Sequence, residues 1–265
     1  MAAWRAAGVN RVSIGVQSLQ PRELVALGRD HRFGDGPAAL AAALAHGGFR
    51  TSCDLIIGTP GGSGAPLLDS VDALAATPVD HLSVYELTIE DRTAFGARAR
   101  AGTLVPLDDD ALADLYIRAH DRLTSAGFEH YEISSYARPG RRAVHNSLYW
   151  RGAPFLGLGV GAASLELLVD GGGVRATNPR RVAEYLAAPG TPAERVASSP
   201  AELAAERAWL GMRTADGVAE ADLPPAVVRW LVDDGLAERK ATRIAPTLRG
   251  FLLANRIAAR IAEAL

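Results

Sequence analysis

Residues 11–18 read Arg-Val-Ser-Ile-Gly-Val-Gln-Ser, and Pro21 opens a helix-favouring run that reaches Leu27-Gly28. The short run of apolar and β-branched residues is typical of a buried strand, and a serine followed by a proline is typical of a helix start. The pattern therefore predicts a strand with Gln17 at its C-terminal tip. Ligands of parallel α/β folds bind at the carboxyl ends of the strands, so Gln17 and the following Arg29 are the first candidate binding residues.

Two more strand–helix units follow this stretch. The predicted strands are 51–57 and 80–88, and the predicted helices are 35–46 and 66–76. Alternation at this spacing favours right-handed βαβ units in a parallel sheet, hence the α/β class. Three strands cannot close a barrel, and their open edges could pair with a second copy to form a homodimer. Either later strands complete the sheet, or the sheet is part of a larger structure. The next predicted strand is 128–136, which follows a predicted helix over 108–126.

The sequence pattern of the C-terminal region predicts a separate domain. Residues 189–200 are rich in Pro, Ala and Ser and are predicted to be a linker. Helices over 202–213 and 223–234, a short β wing and a last helix over 247–265 resemble a winged-helix domain. The predicted domains are therefore 1–188 and 200–265. The net charge of −2 offers no basic recognition face, so no nucleic-acid partner is expected.

Composition limits the function classes further. Cys53 is the only cysteine, which excludes an intramolecular disulfide and any metal or iron–sulfur site built from cysteine alone. The first residues lack the basic segment and apolar core of a signal peptide, and no apolar stretch is long enough to span a bilayer. The sequence predicts a cytoplasmic protein with no integral membrane segment.

Asp54 and Arg29 each allow two interpretations. Asp54 lies in the middle of a predicted strand, where a charge must be paired or hydrogen-bonded. It either forms a structural salt bridge or accepts hydrogen bonds from the vicinal hydroxyls of a ribose, next to a glycine-rich segment at 58–62. Arg29 is either solvated or, with Gln17, holds an amino-acid carboxylate through its planar fork.

The segment His145-Asn146-x-x-Tyr149-Trp150 is the other candidate site. His145 is either a hydrogen-bonding core residue or an axial haem ligand with aromatic neighbours. The glycine-rich run at 157–163 could be mistaken for a dinucleotide fingerprint. It lacks the full strand–GxGxxG–helix context, so close backbone packing is the prediction there.

Seven motifs occur together in one order and resemble a known family. They are Ser-Ile-Gly-Val-Gln-Ser, Leu-Gly-Arg-x-His, Asp-Leu-Ile-x-Gly-x-Pro-Gly, Ser-Val-Tyr-x-Leu-Thr-Ile-Glu, His-Tyr-Glu-Ile-Ser, His-Asn-x-x-Tyr-Trp-Arg-Gly and Gly-x-Gly. The set resembles the radical S-adenosylmethionine (SAM) proteins related to oxygen-independent coproporphyrinogen III oxidase. The branch it resembles most is that of the HemW-type haem chaperones, because that branch carries the His-Asn-x-x-Tyr-Trp motif.

The resemblance implies a fold and two binding sites. The fold would be an incomplete (β/α) partial barrel of the TIM type, six-stranded in the family, followed by a C-terminal helical or winged-helix-like part. The methionyl end of SAM would be bound by Gln17 and Arg29, and its ribose by Asp54. The haem iron would be bound by His145, with Asn146, Tyr149 and Trp150 around it. The implied function is to bind haem and to pass it to an acceptor protein.

The chain departs from the family pattern in two places. The Cys-x-x-x-Cys-x-x-Cys loop that holds the family's [4Fe–4S] cluster is missing, so we expect no radical initiation and regard a truncated gene product or a gene-start error as the reason. Residues 161–164 read Gly-Ala-Ala-Ser where the family often has Gly-Ala-His-Ser. Two alternatives to the chaperone stay open: a porphyrin-forming oxidase and a non-catalytic interaction remnant.

Overall fold

The predicted first strand is β1 (Arg11–Gln17), and it pairs in parallel with β2 (Arg50–Ile57), which pairs in parallel with β3 (His81–Glu86). The computed structural model describes residues 1–28, 34–60 and 64–265. The chain is divided into two units, Met1–Arg142 and Ala143–Leu265. The parallel βαβ units predicted from the sequence are thus confirmed in the first unit.

The remaining elements of the first unit are helices and one hairpin. They are α1 (Ala2–Ala6), α2 (Pro21–Ala26), α3 (Asp35–His46), α4 (Ala65–Ala75), α5 (Ala94–Arg100), α6 (Asp109–Ser125), β4 (Glu129–Glu132) and β5 (Ser135–Ala137). The strand order in the sheet is β1-β2-β3-β5-β4, in which β5 is antiparallel to both β3 and β4. The sheet that the sequence left open after three strands is therefore extended by an antiparallel hairpin.

The prediction of a single strand over 128–136 is wrong. The chain turns at Ile133 and Ser134, so this stretch supplies two strands of the hairpin. The Tyr116 hydroxyl on α6 donates a 2.6 Å hydrogen bond to the carbonyl of Ile133, which ties the turn to the helix. No glycine or proline marks this turn, and the tertiary hydrogen bond that stabilises it cannot be read from local sequence.

The two faces of the sheet have different chemistry, because successive strand residues point to opposite sides. One face carries Cys53, Leu55 and Leu82, which pack in the core with α4 and α6. The opposite face carries polar side chains at alternate positions: Ser13, Ser52, Asp54, His81 and Ser83. The first unit therefore has an apolar layer under helices on one side of the sheet and a layer of polar side chains on the other, of which Ser52, His81 and Ser83 are buried.

The second unit begins with a short helix and contains two small sheets. Its elements are α7 (Val144–Trp150), β6 (Ala163–Leu167), β7 (Gly173–Thr177), α8 (Val182–Ala187), β8 (Glu194–Ser198), α9 (Pro200–Gly211), β9 (Val218–Ala219), a 3-10 turn (Glu220–Asp222), α10 (Pro225–Asp233), β10 (Ala237–Lys240), β11 (Arg243–Pro246), α11 (Leu248–Leu252) and α12 (Ala254–Ala264). The strand orders are β6-β7-β8 and β10-β11-β9.

The stretch 189–200 is not a linker. It contains β8, every residue of which pairs with β7, and Ser199 caps α9 in a capping box with Glu202. The Arg175 guanidinium on β7 also lies 2.7 Å from Glu206 on α9. These contacts join the three-stranded sheet to the C-terminal helices, so the division falls at Arg142, whereas the sequence placed it between residues 188 and 200.

The C-terminal part has the predicted order of helix, helix, β wing and helix, with the short strand β9, which was not predicted, between the first two helices. Leu231, Ile244 and Ile257 from α10, β11 and α12 are fully buried in its core. The single helix predicted over 247–265 is broken at Leu253, where φ is −107° and ψ is 23°, into α11 and α12. No helix in the described part of the chain is long and apolar enough to cross a membrane.

A cluster of rings joins α6 to the hairpin in the first unit. The imidazoles of His120 and His130 approach with 3.2 Å between their Nδ1 atoms, and the His130 ring stacks on Tyr136 with 4.3 Å between centroids. Burial and the neighbouring His120 lower the pKa of His130 from 6.5 to about 3. His130 is therefore held in its neutral form in the folded protein.

We predict that Gly217→Ala destabilises the winged-helix part far more than Gly235→Ala. Both glycines have positive φ, +60° and +67°, so each alanine incurs the left-handed backbone cost of about 1–2 kcal/mol. A Cβ at Gly217 would also overlap the carbonyl of Ile244 on β11, whereas Gly235 faces open space. Urea unfolding followed by circular dichroism measures the difference, and equal losses would contradict this packing.

We also predict that the first unit loses stability as pH falls below about 6.5. An unfolded histidine takes up a proton there, but folded His130 resists protonation until its pKa near 3, so protons favour the unfolded chain throughout that window. The slope contributed by one such histidine is at most about 1.4 kcal/mol per pH unit. His130→Asn should reduce the dependence of the unfolding midpoint on pH between 7 and 5 and leave the share of His81, whose pKa is also lowered to about 3. The matched control is His46→Asn at the exposed end of α3, which should leave that dependence unchanged.

Candidate functional site

Asp54 lies in the middle of β2 on the polar face of the first unit. Its two carboxylate oxygens accept hydrogen bonds from the Ser13 hydroxyl, at 3.3 and 3.2 Å. Asp54 is half-buried and pairs in register with Gly15 of β1. The sequence left two interpretations of Asp54 open, one of which was a structural salt bridge. Among the described residues no salt bridge of Asp54 is found, and the side chain that bonds to it is Ser13.

Gln17 ends β1 in an unusual backbone conformation. Its φ is +66°, a region that residues other than glycine seldom occupy, and the pairing register shifts between Gly15 and Gln17. The side chain turns back so that a Cβ on Gly15 would overlap its Nε2 atom. Because Gly15 pairs with Asp54, the Gln17 amide and the Asp54 carboxylate occupy neighbouring places on one face. Arg29, the third predicted SAM residue, lies outside the described residues.

A buried hydrogen-bonded chain on the same face was missed by the sequence reasoning. The Ser52 hydroxyl and His81 Nδ1 are 2.8 Å apart, and His81 Nε2 and the Tyr131 hydroxyl are also 2.8 Å apart. Burial, assisted by the charge of Arg11, lowers the pKa of His81 from 6.5 to about 3. The neutral imidazole therefore links two hydroxyls. The signal that could have found this chain is the run of polar residues at every second strand position.

The donor set on this face fits a nucleoside-bearing ligand. A carboxylate has about four acceptor sites, so Asp54 can accept from hydroxyls in addition to Ser13. The Gln17 amide offers both a donor and an acceptor at the tip of the strand. The residues present do not fit an iron–sulfur cluster, because a cluster needs several thiolates and this chain has one cysteine. Burial, with the nearby Asp54 charge, also raises the pKa of the Cys53 thiol to about 12.

The predicted haem residues lie on α7 in the second unit. Tyr149 follows His145 by one helical turn, and its hydroxyl lies 3.0 Å from His145 Nε2. The two rings are perpendicular, with centroids 5.0 Å apart, and Tyr149 meets Phe155 edge-on at 4.8 Å. His145 and Tyr149 are exposed, whereas Asn146 and Trp150 are half-buried. The structure thus joins His145 and Tyr149 directly.

The His145–Tyr149 contact suits an imidazole that binds a metal. A ligating histidine usually donates its second ring N–H to a fixed partner, which sets the tautomer and the ring orientation. If Nε2–H donates to the Tyr149 hydroxyl, the lone pair of Nδ1 is left for iron. The exposure of the ring excludes the alternative of a core histidine.

The glycine-rich run at 157–163 shows the close packing predicted for it. A Cβ on Gly157 would overlap the backbone carbonyl of Ala163. Three side chains also hold the loop: Ser164 Oγ accepts from Gly157 N, Tyr185 Oη accepts from Gly159 N, and Asn178 Nδ2 donates to both glycine carbonyls. Ala163, where the family often has histidine, begins β6.

Comparison with proteins of known name gives strong matches over most of the chain. The heme chaperone HemW of Mycobacterium tuberculosis is 39% identical over 257 residues, covering 96% of this chain and 65% of the relative. HemW of Synechocystis is 40% identical, covering 82% and 53%. A mouse protein named radical S-adenosyl methionine domain-containing protein 1, mitochondrial, is 43% identical, covering 61% and 37%. The chain thus spans less than two thirds of these relatives.

Among solved structures, the chain is similar to coproporphyrinogen III oxidase (HemN) from Escherichia coli, described as a radical SAM enzyme. The TM-score is 0.78 at 20% identity, and the match covers 100% of this chain and 66% of that one. At this identity the likeness shows the fold, and it confirms the predicted radical SAM type of α/β architecture. No family model matches the chain. The agreement with the named relatives over nearly its full length places the chain in the HemW-type family of radical SAM proteins.

Proposed function

We propose that the protein binds haem through His145 and passes it to an acceptor protein, as a HemW-type haem chaperone. The observation that carries this proposal is the exposed His145 whose Nε2 is engaged by Tyr149 at 3.0 Å. Imidazoles that bind a metal usually have their second ring nitrogen held by such a hydrogen-bond partner. The names of the relatives that match most of the chain support the same function.

We propose SAM as a second ligand, bound on the polar face of the first unit. Asp54 would accept hydrogen bonds from the ribose hydroxyls, and Gln17 would bind the methionyl end together with Arg29. The support is the placement of Gln17 and Asp54 side by side across β1 and β2. The cysteines that would hold the [4Fe–4S] cluster of the family are not among the residues of this chain.

The chaperone is favoured over the two alternatives. The likeness to coproporphyrinogen III oxidase supports the fold alone at 20% identity, whereas the matches at 39–40% are named heme chaperones. A pure interaction remnant would not need the His145–Tyr149 pair. A haem-acceptor protein as partner, a cytoplasmic location and a homodimer through the sheet edges β1 and β4 stay predictions of the proposal.

We predict that adding haem to the full chain gives a shifted Soret band that His145→Ala abolishes. The reason is that the substitution removes the axial nitrogen from iron. Tyr149→Phe removes only the hydroxyl that orients the imidazole, so it should keep the shifted band and weaken binding by roughly 10-fold. Absorbance titration measures both effects.

The control for the haem titration is His46→Ala, which removes an exposed histidine from α3 in the first unit. It should leave the Soret shift unchanged. A wild-type chain without any Soret shift, or a His145→Ala chain that keeps it, would contradict haem binding through α7.

We predict that Asp54→Asn weakens SAM binding to the full chain by about 10-fold, because a charge-assisted hydrogen bond is worth roughly 1.5–3 kcal/mol and the amide accepts less strongly. Isothermal titration calorimetry with SAM measures the loss. Asp69→Asn on the exposed face of α4 is the control and should bind as the wild type does. If the wild type, Asp54→Asn and Asp69→Asn bind SAM with equal affinity, Asp54 is not part of the SAM site.

A further inference from the structure

The second unit contains a cavity of about 770 Å³. It lies between the loop at 154–158, the sheet face of β6 and β7, the helix α8 and the segment at 189–195. This volume is within the range of about 300–1,000 Å³ that proteins use for small-molecule and cofactor sites. All of the lining residues belong to the second unit, so the cavity is a property of that unit.

The walls of the cavity are mainly apolar. Phe155, Leu156 and Leu158 come from the loop, and Leu165 and Val174 come from the sheet. Leu156 and Leu158 are 77% and 81% exposed, which is costly for leucine in the absence of a ligand or partner. An apolar lining of this extent favours a large apolar ligand over a sugar or a nucleotide.

The cavity is also held in shape before any ligand binds. The hydrogen bonds from Ser164, Asn178 and Tyr185 fix the loop backbone at Gly157 and Gly159, at distances of 2.9 to 3.2 Å. Because the Tyr185 oxygen accepts from Gly159 N, its own hydrogen stays available as a donor. Preformed walls lower the ordering cost of binding.

One cationic side chain lines the cavity. Arg195 on β8 lies 3.7 Å from Glu166 on β6, and both side chains are more than half exposed. A guanidinium carries five donors in a planar fork, so Arg195 can bind a ligand carboxylate at the solvent edge while the apolar part enters the cavity. The fitting ligand is thus apolar in its body and carboxylated at its edge.

The cavity is next to the proposed haem helix. Phe155 lines it, and the Tyr149 ring contacts Phe155 edge-on at 4.8 Å. Tyr149 in turn bonds to His145, so one aromatic ring separates the candidate iron ligand from the cavity wall. We propose that this cavity seats the macrocycle of a porphyrin, with a carboxylate at Arg195, as a site separate from the candidate iron ligand His145. The inference rests on the proposed haem function and adds a ring-binding site to it.

The test uses the full chain and metal-free protoporphyrin IX, followed by porphyrin fluorescence. The wild type should bind this porphyrin. Ala176→Trp fills the cavity from β7 and should weaken binding by at least about 10-fold. Val169→Trp places the same side chain on a fully exposed turn outside the lining and should bind as the wild type does.

Two further variants keep the test decisive. If Ala176→Trp does not fold by circular dichroism, Gly190→Trp fills the cavity from an exposed segment with open space around its Cβ position, and it should show the same loss. Arg195→Gln should weaken binding by roughly two- to five-fold, as expected for an exposed charge contact.

The outcomes separate this inference from the proposed function. Binding of protoporphyrin that Ala176→Trp and Gly190→Trp leave unchanged would overturn the cavity site, even if the haem Soret shift still depends on His145. A wild type that binds protoporphyrin through the cavity but shows no His145-dependent shift with haem would overturn the function and keep the site. Binding of palmitate with the same variant pattern and no protoporphyrin binding would show a lipid-type ligand and overturn the proposal.

Discussion

The register between β1 and β2 is the constraint on which the first unit depends. Gly15 is opposite Asp54, and the extra residue before Gln17 shifts the pairing and turns the glutamine back over Gly15. A bulge of this kind re-aims one side chain at the end of a strand without disturbing the buried face. The core residues Val16 and Leu55 stay in the apolar layer, while the Gln17 side chain turns over Gly15, the residue paired with Asp54.

In the second unit, side-chain hydrogen bonds to a loop, and not strand register, position residues that line the cavity. Its glycine-rich loop has no regular structure, yet three side chains from β6, the end of β7 and α8 bond to its backbone. Those bonds satisfy half-buried backbone groups and hold an irregular segment in a fixed position. The neighbouring α7 presents its motif residues largely to solvent, since none of its residues is buried.

Local patterns predicted the parallel units, α3 and the winged-helix order, because each is dictated by hydrophobic period and helix-start residues. The hairpin at Ile133 was not predictable, since a tertiary bond from Tyr116 stabilises it. The strand β8 could not be predicted because its stretch is rich in Pro and Ala, and its backbone hydrogen bonds are made with β7. In the candidate site, the motif residues are visible in the sequence and their roles stay predictions, whereas the Ser52–His81–Tyr131 chain depends on strand register. The cavity in the second unit is formed where separate segments of that unit pack together, and no sequence motif predicts it.

The burial of Cys53 has a practical consequence. Its side chain is inaccessible in the centre of the sheet, and its thiol stays protonated up to a pKa of about 12. Since alkylating reagents attack the thiolate, the folded chain should behave toward maleimides as though it had no cysteine at all. A cysteine introduced on the surface would then be a unique attachment point for a dye or spin label, and slow reaction at Cys53 would report how often the first unit opens.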